Sequence, residues 1–124
     1  MVKGIGVDII EIERIQKAIN QYGDNFLNKV FTEKEIAYCT RRKKIGIHEF
    51  AVRFSAKEAY SKAIGVGILG LGRGKQGIKW KDVEVGNDSL GKPFLIFKGK
   101  ILKKAQLSLS HSRDYAIASV YVEK

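Results

Sequence analysis

An α+β fold is predicted for this chain by the order in which its sequence patterns appear. One opening strand is followed by a block of helical periodicity. Short alternating segments set between turn residues come after it, the order that segregates helices from an antiparallel sheet. The 124 residues suit one domain spanning 1–124, and an apolar fraction of 44% supplies a core, though a small one. Chains with so small a core often gain stability by oligomerising.

The strand comes first. Val2 to Asp8 (VKGIGVD) alternates loosely and ends on a carboxylate. Ile9, Ile12, Ile15 and Ile19 then recur at helical spacing on one face, until Tyr22-Gly23-Asp24 interrupts them. A short second helix starts near Asn25 and precedes Phe31, and Thr32-Glu33-Lys34-Glu35 is a capping box that opens a third. The basic run Arg41-Arg42-Lys43-Lys44 makes a solvated turn, after which a long helix runs from Ile47 to Ile64. Its apolar stripe is Ile47, Phe50, Ala51, Phe54, Ala59 and Ala63, with Tyr60 and Ile64 beside it.

The chain then changes character. Gly65 to Gly77 holds six glycines among few polar anchors, the composition of a mobile loop. Trp80 to Val85 alternates as a strand, Asn87-Asp88-Ser89 and Gly91-Lys92-Pro93 supply turn chemistry, and Phe94 to Phe97 is the next strand. Lys100 to Ala105 fits one or two helical turns. Gln106 to Ser110 and Tyr115 to Val122 close the fold as a pair of strands around a Ser112-Arg113-Asp114 turn. The chain has no internal repeat and no low-complexity tail.

Charge gives the first functional clue. Lys and Arg number 23 against 13 Asp and Glu, a net +10, so the protein attracts polyanions: nucleic acid, a phosphorylated small molecule or an acidic protein. The basic run at Arg41 has no interleaved aromatic residues, which weakens a nucleic-acid reading. Cys39 stands alone, which rules out an internal disulfide and suits a reducing compartment. Met1 to Ile10 is too short and too interrupted by Asp8 for a signal peptide. No apolar run approaches the roughly 20 residues of a membrane-spanning helix. A cytoplasmic protein with no membrane partner is expected.

Some motifs tempt and fail. Gly65-Val-Gly67-Ile-Leu-Gly70 matches the dinucleotide-binding pattern by letter, but a helix precedes it and more glycine-rich loop follows, the reverse of what that motif needs. Gly70 to Lys75 imitates a phosphate-binding loop, but Gln76 stands where a hydroxyl must meet magnesium. In Ser110-His111-Ser112, strand neighbours point to opposite faces, so His111 is a better binding residue than a base for either serine.

Two carboxylates remain. Asp8 has an ordinary reading as a helix cap, and Glu58, in Ser55-Ala-Lys-Glu58, one as part of a capping box. A helix starting near Ile47 leaves Ser55 in mid-helix and weakens the second. Around Glu58 the helix also carries Arg53, Lys57, Ser61 and Lys62, and Glu58 and Lys62 share a face. That pair is either a surface ion pair of little worth or, opposite a second carboxylate, part of a magnesium–pyrophosphate site.

At these segments the sequence resembles the holo-acyl-carrier-protein synthases, the small class of phosphopantetheinyl transferases. Gly4-Ile-Gly-Val-Asp-Ile-Ile-Glu-Ile-Glu-Arg-Ile15 is similar to the family's opening motif and Phe54-Ser-Ala-Lys-Glu-Ala-Tyr-Ser-Lys-Ala63 to its central one. Trp80-Lys-Asp-Val-Glu-Val85, Gly91-Lys-Pro93 and Leu107-Ser-Leu-Ser-His-Ser112 follow in the family's order. The segment from Gly65 to Gly77 is longer than usual. The resemblance implies the phosphopantetheinyl transferase fold, assembled as a homotrimer with active sites at subunit interfaces. It implies transfer of 4′-phosphopantetheine from coenzyme A to a serine of apo acyl carrier protein, in support of fatty acid biosynthesis. Asp8 and Glu58 would hold Mg²⁺. Lys62 would contact phosphate, with Glu58 as a candidate general base. Arg53 and His111 would help hold the adenosine 3′-phosphate end, Ser61 and Gly65 would line the pocket, and Arg14 would face the acidic carrier protein. The competing reading, a small basic nucleic-acid-binding module, leaves the Asp8 and Glu58 motifs unexplained.

Overall fold

A computed structural model describes residues 1–68 and 77–124. The long helix, α4 (Ile47–Ile64), is buried on almost every side. Phe50, Ala51, Ala56, Ala59 and Ala63 are all buried, so the helix lies inside the molecule with other elements wrapped round it. Among the described residues no helix is long and apolar enough to cross a membrane.

One side of α4 is covered by an antiparallel sheet in the order β1 (Val2–Glu11), β8 (Tyr115–Glu123), β7 (Ala105–His111). β1 turns Gly4, Gly6, Asp8 and Ile10 to the helix and Ile5, Val7 and Ile9 to the outside. A Cβ at Gly4 would strike the Ala63 carbonyl oxygen, and one at Gly6 that of Ala59. The strand thus reaches the helix backbone only because both positions lack a side chain, and this approach delivers Asp8, two residues on, to α4.

Helices α1 (Ile12–Tyr22), α2 (Asp24–Val30) and α3 (Glu33–Cys39) follow β1. The expected capping box opens α3: the Glu35 N–H donates to Thr32 Oγ1 at 3.2 Å and the Thr32 N–H to Glu35 Oε1 at 3.0 Å. After α4, β2 (Gly67–Ile68) and β3 (Gly77–Ile78) form a short parallel pair. A second antiparallel sheet, β4 (Val83–Asn87), β5 (Pro93–Phe97), β6 (Lys100–Ile101), completes the α+β architecture.

Four expectations change. β1 continues to Glu11 because its pairing with β8 runs on to Glu11↔Tyr115. Ile9 is therefore a strand residue, 62% exposed, and only Ile12, Ile15 and Ile19 form the buried stripe of α1. Asp8 caps nothing. Trp80–Asp82 is a 3₁₀ turn rather than a strand, held by the Lys79 N–H donating to Asp82 Oδ2 at 2.9 Å. Lys100 begins a strand and not a helical turn: Lys98 and Gly99 both have positive φ (48° and 84°), the hairpin turn whose twist suits antiparallel strands. The ends of the Gly65–Gly77 segment are ordered as β2 and β3. Residues 69–76, with the Gly70–Lys75 stretch, lie outside the described residues.

Candidate active site

Glu58, Ser61, Lys62 and Gly65 fall three or four residues apart on α4 and so share one face. Together with Val66, Gly67 and Ile68 they border a cleft of about 380 Å³. Gly65 ends the helix in the left-handed region (φ 82°) and donates its N–H to the Ser61 and Lys62 carbonyls, so its role in shaping the cleft is backbone geometry. The Ser61 hydroxyl donates to the Glu58 carbonyl at 2.7 Å.

Asp8 arrives from β1. The Lys62 ammonium bridges the strand by donating to Asp8 Oδ1 at 3.2 Å and to the Val7 carbonyl at 3.1 Å. The Asp8 side chain is mostly covered, 15% exposed, while that of Lys62 is more than half exposed. Burial pushes the Glu58 carboxyl above its ordinary pKa and the charge of Asp8 adds to this, while Lys62 and Arg14 pull it back. Two carboxylates thus act on one another electrostatically, Asp8 bonded to the Lys62 ammonium and Glu58 bordering the cleft. Arg14 is exposed on α1; among the described residues it has no carboxylate within ion-pair distance, and neighbouring Glu13 pairs with Lys17.

The other expected ligands lie elsewhere. Arg53 is 3% exposed on another face of α4, donating to Asn87 Oδ1 at 2.6 Å and to the Glu49 carbonyl at 3.2 Å, with its guanidinium over the Tyr38 ring. Among the described residues its Nε has no hydrogen-bond partner. Tyr38 and Asn87 in turn border a second cleft, of about 470 Å³, between α3 and the β4–β5 hairpin. His111 ends β7 with its ring 4.8 Å from that of His48, at the start of α4. Neither Arg53 nor His111 borders the cleft beside Glu58 in the same chain. Lys57, grouped with this site by sequence, is fully buried in an ion pair with Glu35. Tyr38, Asn87 and His48, which touch the expected ligands, carried no sequence signal: each matches an ordinary core or turn residue.

No group of three or more metal-ligating side chains occurs among the described residues. Asp8 and Glu58 nevertheless suit a hard cation that takes few protein ligands. Both are oxygen donors, their charges oppose one another, and the remaining positions of an octahedral ion would go to water and phosphate.

Comparison with known proteins gives a consistent picture. Residues 4–120 match the family model described as the 4′-phosphopantetheinyl transferase superfamily. A holo-(acyl-carrier-protein) synthase from Koribacter versatilis is 43% identical, over 99% of this chain and 99% of its own. One from Protochlamydia amoebophila is 47% identical over 95% of each chain. The crystal structure of a holo-(acyl-carrier-protein) synthase from Bacillus anthracis in complex with CoA (3′,5′-ADP) superposes with a TM-score of 0.82. It is 42% identical and covers 100% of this chain and 98% of that one.

Proposed function

We infer the reaction from kinship and site together: the chain belongs to the 4′-phosphopantetheinyl transferase superfamily and groups with the holo-(acyl-carrier-protein) synthases. It transfers 4′-phosphopantetheine from coenzyme A to a serine of apo acyl carrier protein, giving holo carrier protein and adenosine 3′,5′-bisphosphate. The nucleic-acid alternative finds no support in these relationships. The observation that carries the mechanism is the electrostatic coupling of Asp8, bonded to Lys62, with Glu58, which lines a cleft together with Lys62 and β2.

In this reading Asp8 and Glu58 would hold Mg²⁺, which would neutralise charge on the diphosphate of coenzyme A. Lys62, which donates to Asp8, would also contact phosphate. The carrier serine oxygen bonds to the β-phosphorus of coenzyme A, and the bond from that phosphorus to the bridging oxygen breaks, releasing adenosine 3′,5′-bisphosphate. Glu58, with its raised pKa, takes the serine proton directly or through water. Positioning and charge neutralisation supply most of the acceleration in such transfers. Arg14, exposed on α1 and close enough to act on the charge of Glu58, faces the acidic carrier protein.

The assembly we favour is a homotrimer with shared sites. Two features support it. The outer face of the β1–β8 pair is apolar and open, with Ile5 65%, Val7 53% and Ile9 62% exposed and Ile9 registered against Ile117. His111, which would help hold the 3′-phosphate end, is exposed and outside the Glu58 cleft of its own chain, open to a neighbour's, whereas Arg53 is buried against Asn87 and Tyr38. Residues 1–124 would act as one catalytic domain in the cytoplasm, where the buried free thiol of Cys39 is at home. The deciding assay is the intact mass of an apo acyl carrier protein after incubation with this enzyme, coenzyme A and Mg²⁺. A gain of one phosphopantetheine is expected, and its absence would overturn the reading.

A further inference from the structure

Lys57 precedes Glu58 on α4, yet it points into the core and is 0% exposed. All three of its protons are spent: its ammonium donates to Glu35 Oε1 at 2.8 Å, to the Trp80 carbonyl at 3.0 Å and to the Val83 carbonyl. Glu35 completes the hub by accepting from the N–H groups of Thr32 at 3.0 Å and Val85 at 2.9 Å. Burial pushes the lysine's pKa down, against the opposing charge of Glu35. Apolar side chains of similar volume would often hold such a core as well or better, so stability alone is a weak reason for charge here.

What the hub touches suggests another reason. Its acceptors lie on the backbone from Trp80 to Val83, and the Trp80 ring also packs on Phe54 of α4, 4.7 Å between ring centres. Trp80 follows β3 by one residue, and β3 pairs Gly77 and Ile78 with Gly67 and Ile68 of β2. Gly67 and Ile68 form the β2 wall of the cleft that Glu58 also lines. The ammonium therefore ties that wall to the same turn of α4 that carries Glu58.

We propose that the buried Lys57–Glu35 pair is a positioning device that sets the width of the cleft between Glu58 and the β2–β3 wall. Lys57 touches no substrate; it acts through the Trp80–Val83 backbone. The proposal rests on the cleft being the coenzyme A site, and it deepens that assignment by naming what holds the cleft to size.

The experiment compares Lys57→Met and Glu35→Gln with Leu107→Ala, a buried position on β7 outside the hub and the cleft. Each enzyme is followed by steady-state kinetics, by direct calorimetric binding of coenzyme A and by thermal unfolding. Lys57→Met should raise KM and Kd for coenzyme A on the order of tenfold, with kcat changed less than about threefold and carrier KM unmoved. Leu107→Ala should lose Tm without shifting coenzyme A binding. If Lys57→Met does not fold, Glu35→Gln, which nearly keeps size, should show a smaller shift of the same kind. Unchanged coenzyme A binding in the folded hub variants, or an equal shift in Leu107→Ala, overturns the positioning role. A wild-type protein that binds coenzyme A without transferring would overturn the reaction instead, and Kd would still decide the positioning. No binding by the wild type overturns both.

Discussion

Replacing Gly6 by alanine should damage the site from two residues away. The new Cβ would overlap the Ala59 carbonyl oxygen and sit 2.8 Å from the Ala63 nitrogen, where ordinary contact begins at 3.4 Å. Both atoms are helix backbone and neither can swing aside, so β1 must retreat from α4 by at least several tenths of an ångström. Overpacking of this kind costs about 1–3 kcal/mol, which for a chain of 124 residues is a fall in Tm of roughly 5–15 °C. Asp8 lies on the same face of the strand and moves with it, opening its contact with Lys62, now 3.2 Å, and its approach to Glu58. A misplacement near 1 Å in a positioned group costs on the order of a hundredfold in rate. Gly6→Ala is thus expected to lose about ten- to a hundredfold in kcat/KM, measured by transfer to apo carrier protein, beside the fall in Tm by calorimetry. Gly4→Ala, which meets the Ala63 carbonyl but lies twice as far along the strand from Asp8, should lose similar stability and less activity. Wild-type Tm and turnover in Gly6→Ala would refute the claim that this close approach places Asp8.

Glu58→Gln should abolish most transfer, on the order of a thousandfold, yet leave the metal-free protein at least as stable as wild type at neutral pH. The folded pKa of Glu58 is raised, so the native state binds more protons than the unfolded one between the two values. Stability therefore falls as pH climbs through that window, and the cost is fully present above it. The Tm curves of the two proteins should converge in acid, and a Gln variant clearly less stable at pH 7 would contradict the assignment. Arg14→Glu should raise KM for carrier protein and weaken its salt dependence while sparing coenzyme A; Lys62→Ala should do the reverse, and substrate-by-substrate kinetics separates them. Ile9→Asp, placed on the open apolar face, should break the proposed trimer to monomers by light scattering with loss of activity, and an active monomer would rule out shared sites.

Much of this protein is legible in its sequence because local chemistry fixes it. The limits of α4 follow from an unbroken run of helix formers ended by Gly65, and the start of α3 from a capping box that satisfies its own backbone. The common face of Glu58, Ser61, Lys62 and Gly65 follows from helical spacing alone. Local rules failed where pairing partners decide. Ile9 fits the period of α1 as well as it fits β1, and only the ladder to β8 assigns it to the strand. The alternation of Trp80–Val85 imitates a strand until Asp82 folds back on Lys79.

The same division runs through the site. Sequence determined that two lysines flank Glu58, and that a carboxylate stands in a glycine-bearing first strand. It did not determine that Lys62 reaches Asp8 across 54 positions while Lys57 turns inward to Glu35, or that Arg53 and His111 stand clear of the cleft. Spacing states which residues share a face. Which face meets a strand, a buried carboxylate or open water is set by the packing of elements distant in the chain, and that only the tertiary structure decides.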